Sequence, residues 1–139
     1  MAQALNVSHA LVAEVPAGNR LRAKTLAVWA RDRHGDNFEY DLAGTPCAGV
    51  VGNTLCLYPE RVRKLFPEDR ILHTMEAESY MGIPLWSSSG QPLGLLAVLN
   101  DKPFHAQQDM EPLLTIFAAR ASAELERIDR KSTRLNSSH

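Results

Sequence analysis

Cys47 is the residue best placed for chemistry. It stands in GTPCAGV, directly after Gly44-Thr45-Pro46. There Thr45 reads as an N-cap and Pro46 as the first residue of a one- to two-turn helix. A thiol at a helix N-terminus has its pKa lowered by the helix dipole, which favours nucleophilic or redox work. The competing reading is a small apolar cysteine packed against a sheet, the usual place of a free thiol. A partly exposed redox-sensing thiol lies between these two. Cys56 follows nine residues later. With no CxxC and no histidine at ligand spacing, the pair makes no zinc site.

A second group of side chains suits binding rather than reaction. Trp29, Tyr58, Met75, Tyr80 and Trp86, together with Cys47, could line a pocket for a small apolar or planar ligand. Core filling competes with that role for each aromatic taken singly. His73 reads as a surface residue of a short helix. The chain has no Ser-His-Asp set, no phosphate-cradling glycine loop and no carboxylates paired to act together.

These residues are positioned by a hairpin at residues 76–100, EAESYMGIPLWSSSGQPLGLLAVLN. Met81, Ile83 and Leu85 alternate with Tyr80, Gly82, Pro84 and Trp86. On the return strand Leu93, Leu95, Ala97 and Leu99 alternate with Gly94, Leu96 and Val98. Ser87 to Pro92 supply the turn. Neither strand has a polar face, so both sides must be covered and the hairpin belongs at the centre of a sheet. Pro84 lacks the N–H a ladder needs, which predicts a bulge or a pocket beside it.

Around the hairpin, residues 7–15 and 21–31 read as strands joined by a turn at residues 16–19. Ala10 and Val12 share one face of the first strand. Leu21, Ala23, Thr25, Ala27 and Trp29 share one face of the second. Residues 31–37 read as a charged turn and 38–42 as extended. Residues 43–76 form an excursion of short helices: Cys47 and Val50 share a side, then Val62, Leu65 and Phe66, then Ile71, Leu72 and Met75. Helices of this kind laid over a sheet leave room for a pocket beneath them. Residues 109–130 form the clearest helix, with Met110, Leu113, Leu114, Phe117, Ala121, Leu125 and Ile128 in one stripe. Pro112 restricts its start to near Asp109, and Glu124 and Glu126 face Arg127 and Arg130 on the solvent side.

At 139 residues the chain is one domain with a sizeable core. A net charge of −1 argues against nucleic-acid binding through a broad basic face. No apolar run reaches the roughly 20 residues of a membrane helix, and no signal-peptide pattern follows Met1. The expected location is cytoplasmic, without membrane contact and with both thiols reduced.

The run SYMGIPLWSSSGQPLGLLAVLNDKPF resembles the C-terminal half of a GAF domain, a small-molecule sensory module of bacterial signalling proteins. FEYDLAGTPCAGVV, YPERVRKLFPED and IFAARASAELERI resemble one subgroup of that family, found in sensor histidine kinases, diguanylate cyclases and related regulators. The resemblance spans residues 7–128. It implies an α/β fold of the GAF/PAS-like (profilin-like) type, a central antiparallel sheet flanked by helices. The terminal helices would lie on one face, the excursion on the other, and the N- and C-terminal strands side by side. It implies a domain over residues 1–130 whose first helix is truncated. Residues 131–139, KSTRLNSSH, are unlike the family and are expected to be a disordered, non-native tail.

By the same resemblance the chain is a non-enzymatic module of a multidomain signalling protein, such as a two-component system. It would bind an unidentified small molecule, or dimerise through its terminal helices, and pass a signal to an effector domain through the C-terminal helix. The resemblance names no cofactor. The alternative is a GAF-fold thiol reductase of the free methionine sulfoxide reductase type using Cys47. Against it, no partner cysteine stands in residues 73–78. His73 is similar to the histidine that contacts a bilin or haem in chromophore-binding members, but the neighbouring thioether-forming cysteine is absent. Asn100, Lys102, Phe104 and Asp109 partly resemble the cyclic-nucleotide signature of the family. Lys102 is displaced by one position and Met110 stands at the acidic place, so a strand end, a loop anchor and an N-cap are the preferred reading.

Overall fold

The computed structural model describes residues 7–16, 21–30, 33–104 and 107–137, and the side chains of the last element over residues 110–128. The expected first helical turn at residues 1–5, most of the turn at 16–19 and Arg31 lie outside the described residues. The elements run β1 (His9–Glu14), β2 (Arg22–Ala30), β3 (Arg33–His34), β4 (Glu39–Asp41) and a 3-10 turn (Pro46–Gly49). They continue with β5 (Cys56–Tyr58), α1 (Val62–Leu65), α2 (Arg70–Thr74), β6 (Ser79–Trp86), β7 (Pro92–Asn100) and α3 (Gln107–Ser137).

The sheet has seven strands in the order β3-β2-β1-β7-β6-β5, with β4 also paired to β2. Every pairing is antiparallel. The N- and C-terminal strands β1 and β7 lie side by side, as the resemblance implies. The hairpin is β6 and β7, and β7 stands near the middle of the sheet. Its alternation divides the core in two. Leu96 and Val98 meet Ala10, Val12, Met81 and Leu85 on the helix face. Leu95, Ala97 and Leu99 meet Leu11, Ala13 and Tyr80 on the excursion face. Gly94 sits where a Cβ would fall 1.9 Å from the Ala13 carbonyl oxygen, so β1 and β7 approach this closely only because that residue is glycine.

Pro84 pairs with Leu95 on one side, while β5 covers only Tyr80 to Gly82 on the other. It therefore stands where β6 has become the edge of the sheet, the place proline tolerates. The hairpin's irregularity falls beyond it, between Leu85 and Trp86. The charged turn expected at residues 31–37 includes a short strand instead, because Arg33 and His34 pair with Ala30 and Trp29.

α3 lies over β6 and β7. It starts at Gln107, earlier than Pro112 suggested, and the proline occupies the second turn. There it forfeits only the bond to the Gln108 carbonyl. The helical backbone continues to Ser137, past the apolar stripe that ends at Ile128. Extending an existing helix requires no new nucleus, so polar residues can follow a packed segment. Leu65 corrects another expectation. It is 58% exposed on the outer side of the single-turn α1, while Val62 alone of that trio is buried.

Candidate functional site

Beneath the excursion, two tyrosines converge on one thiol. Cys47 sits in the 3-10 turn, with Thr45 at the N-cap and Pro46 following it. The Thr45 hydroxyl donates back to the Leu42 carbonyl at 2.7 Å instead of capping forward. Val50 is buried on the same side as Cys47. The Tyr40 and Tyr80 hydroxyls donate to Cys47 Sγ at 3.3 and 3.1 Å. Tyr80 reaches it by crossing Gly82, whose Cβ, if present, would lie 2.5 Å from the phenol oxygen.

Burial pushes the Cys47 thiol up to about 11, against the smaller opposing effect of the hydrogen bonds from Tyr40 and Tyr80. Burial also raises both phenols well above their ordinary range. The lowered pKa expected from a helix dipole is thus reversed. A four-residue 3-10 turn carries little dipole, and desolvation dominates. Cys47 is a neutral hydrogen-bond acceptor here, without the thiolate character that nucleophilic chemistry needs.

The room expected under the excursion is almost filled around Cys47, while a groove of about 420 Å³ lies at the excursion's margin, bordered by Leu21, Leu42, Ala48, Val51 and Pro92. Tyr40, Cys47, Asp69, Leu72, Tyr80 and Leu99 border a cavity of about 20 Å³, enough for roughly one water molecule. Asp69 is the polar wall that sequence reasoning missed. Its Oδ1 accepts from the Ile71 and Leu72 backbone N–H groups at 3.0 and 3.3 Å and caps α2. Burial raises its carboxyl, partly countered by those two bonds. Asp two residues before the apolar pair Ile71-Leu72 is an N-cap signal.

The structure brings together four of the six candidate pocket residues. Cys47 and Tyr80 are at the centre of the excursion-side core, with Tyr58 and Met75 packed against it. Tyr58 meets Phe66 edge-on at 5.2 Å and Tyr80 at 6.1 Å between ring centroids.

Trp29 is on the opposite face. Thr25 pairs with Ala13 but Ala27 pairs with Val12, so Leu26 is an inserted residue and the faces of β2 exchange there. Ala23 belongs to the excursion face, whereas Trp29 packs with the helix-face residues. Strict alternation had grouped them. Trp86, beyond the second irregularity, is exposed and belongs to neither core.

The remaining candidates have structural roles. His73 is exposed on α2, with Nε2 3.2 Å from the Pro67 carbonyl. Asn100 Oδ1 accepts from the Ser8 backbone N–H at 3.1 Å, and the Lys102 carbonyl accepts from Ser79 Oγ at 2.7 Å. Phe104 is buried, and its N–H donates to the Pro59 carbonyl, tying the excursion to the segment that leads into α3. The Asp109 side chain lies outside the described residues. Among the described residues no three His, Cys, Asp or Glu side chains could hold a metal ion. None of their helices is long and apolar enough to cross a membrane.

The helix face carries a groove of its own. A groove of about 390 Å³ runs between β2 and α3, bordered by Leu26, Trp29, Phe117, Arg120, Leu125 and Ile128. Leu114, Ala118 and Leu125 are buried under the helix, while Leu113, Ile116 and Ile128 are exposed. Leu125 of the helix stripe is thus part of this chain's own core, unlike Ile128. Glu124 pairs with Arg127 as its spacing predicts. Glu126 does something no local pattern signals. Its carboxylate accepts from the Ser88 backbone N–H at 3.1 Å and from Ser88 Oγ at 2.6 Å, fastening α3 to the β6–β7 turn.

Comparison with known proteins agrees with this architecture. The GAF domain from an Acinetobacter phosphoenolpyruvate-protein phosphotransferase superposes with a TM-score of 0.71 at 15% identity, over 95% of this chain and 78% of that one. The PixJ GAF domain of Thermosynechococcus elongatus, in its blue-light absorbing form, gives 0.71 at 14% identity, over 98% and 84%. A domain assigned to a two-component sensor histidine kinase of Sinorhizobium meliloti 1021 gives 0.63 at 16% identity, over 96% and 88%. Such identities speak for the fold alone. No curated protein sequence matches the chain. The GAF domain family model matches residues 1–125, and the chain belongs to the GAF family.

Proposed function

We propose that this chain is a non-enzymatic sensory domain of a bacterial signalling protein, cytoplasmic and without nucleic-acid or membrane contact. It self-associates along α3 and passes its state to an effector domain through that helix. The observation that carries the reading is the open apolar groove beside α3, whose helix wall includes the exposed Ile128. An apolar edge of this kind is costly in water unless another surface covers it. A two-fold pair of identical chains would cover both edges with one contact.

A small molecule beneath the excursion would have to displace α2 and the Asp69 cap. Such a ligand biases α3 only through its different affinity for the closed and opened arrangements. Phe104, held by Pro59 and buried on the helix face, offers a direct route between the two. The thiol reductase reading is disfavoured by burial of Cys47 and by its raised pKa. The tail from Lys131 is proposed to be foreign to the family domain.

Sedimentation of the whole chain across a concentration series tests the association. A dimer forming in the micromolar range, and abolished by Ile128→Glu, is the expected result. A chain that stays monomeric at high micromolar concentration overturns it. Ile128 is the appropriate probe because it is 46% exposed, whereas Leu125→Glu would also break the core.

A further inference from the structure

Ile116, Arg120, Glu124 and Ile128 follow one another at four-residue steps on α3, and all four are exposed. Such a row forms a single ridge along a helix. Its chemistry is mirrored about the point between Arg120 and Glu124: apolar, basic, acidic, apolar. Among the described residues Arg120 has no ion-pair partner. Glu124 pairs with Arg127 at the surface and retains room on its carboxylate for a second donor.

We infer that this ridge is the contact for a second copy of the chain, and that the two α3 helices meet antiparallel about a two-fold axis that passes between Arg120 and Glu124. This inference rests on the self-association proposed above and adds its orientation. In the antiparallel pairing Ile116 meets Ile128 of the copy, and Arg120 meets Glu124 of the copy, each twice by symmetry. A parallel two-fold pair must set each residue against its own copy. Arg120 would then face Arg120, and Glu124 would face Glu124, a like-charge arrangement that disfavours the pairing.

The ridge from Ile116 to Ile128 spans about 18 Å of helix, with the apolar residues at its ends and the charges at its centre. Packing two i,i+4 ridges crosses the helices at about −50°. The contact therefore stays local, and the C-terminal ends of α3 leave it in opposite directions. Effector domains attached there would be held apart in this state, and a signal that brings them together would have to break the contact.

Charge exchange and cross-linking test the orientation. Arg120→Glu alone, or Glu124→Arg alone, is expected to weaken the dimer about tenfold or more, while the double exchange in one chain restores it. All these positions are on the surface, and circular dichroism checks that each variant is folded. A mixture of Ile116→Cys and Ile128→Cys chains should cross-link between unlike chains, with neither variant cross-linking to itself. A dimer in which Ile116→Cys links to its own copy, or which ignores the single charge reversals, overturns the antiparallel assignment while leaving self-association standing. A parent chain that never associates removes both.

Discussion

Around Cys47, on the excursion side of the sheet, two phenols and a thiol close a core that leaves about 20 Å³ of space, and the groove of about 420 Å³ on that side lies at the margin, against Leu21 and Pro92. On the helix side, the same strands leave a groove of about 390 Å³ beside α3. The difference comes from what covers each face. The excursion supplies several short elements that fold down over the sheet, with Val50, Val62 and Leu72 each buried. The helix side receives one long rod over β6 and β7, so the β1–β2 half is left with Trp29, Leu26 and Ala27 partly exposed. The closed core around Cys47 is suited to holding a conformation, and the groove beside α3 is suited to meeting a partner.

The largest expected effect comes from breaking what the two faces share. Leu96 lies on β7 with no exposure, packed on the helix side. Leu96→Ala should destabilise the chain by about 2–5 kcal/mol in thermal melts. A loss below about 1 kcal/mol would mean that β7 is not the centre of the fold.

The next contrast is between faces. Cys47→Ala leaves the Tyr40 and Tyr80 hydroxyls without their acceptor and should cost about 1–3 kcal/mol, with the fold retained. Ile128→Ala beside the α3 groove should change the monomer's stability by less than about 0.5 kcal/mol. Equal effects would erase the distinction. Neither the parent nor Cys47→Ala should reduce free methionine sulfoxide. Turnover by the parent that is lost in Cys47→Ala would promote the reductase reading.

The thiol's pKa gives a pH signature of the closed core. With the folded value raised from 9.0 to about 11, the stability contributed by Cys47 is complete below pH 9 and is lost as pH rises toward 11. Cys47→Ala should therefore show a shallower loss of melting temperature over that interval than the parent. Parallel curves would contradict the buried, neutral thiol.

Asp69 provides the smallest test. Asn caps a helix as well as Asp does, and the carboxyl is raised by burial. Its contribution is present at acid pH and lost as pH rises through the raised value. Asp69→Asn should match the parent at acid pH and exceed it at pH 7. A variant less stable than the parent at pH 7 would show that the charge is favourable where it stands.

Much of this contrast is legible in the sequence. The two apolar faces of residues 80–99 require a covered hairpin, and the stripe from Met110 to Ile128 requires a helix against it. Alternation failed where a strand gains a residue. The insertion at Leu26 sends Trp29 to the other face, and sequence carries no mark of it beyond a β2 strand apolar on both sides. The filling of the excursion cavity was equally hidden, because it depends on Tyr40 and Tyr80 arriving from distant strands at one sulfur. The Ser88–Glu126 link joins residues 38 positions apart and follows no local pattern. Leu125 and Ile128 read alike on the stripe, yet one is buried and the other is not, because the sheet reaches only one side of the helix.

In the proposed dimer a second chain covers the groove beside α3. Trp29 borders the groove, and Trp86→Phe leaves it as the only tryptophan. Iodide quenching of that fluorescence, measured from nanomolar to high micromolar chain concentration, reads the face directly. The account predicts that Trp29 becomes shielded over the same concentrations at which the chain associates, and that Ile128→Glu removes both changes together. Association with Trp29 quenching unchanged would place the contact elsewhere and contradict it.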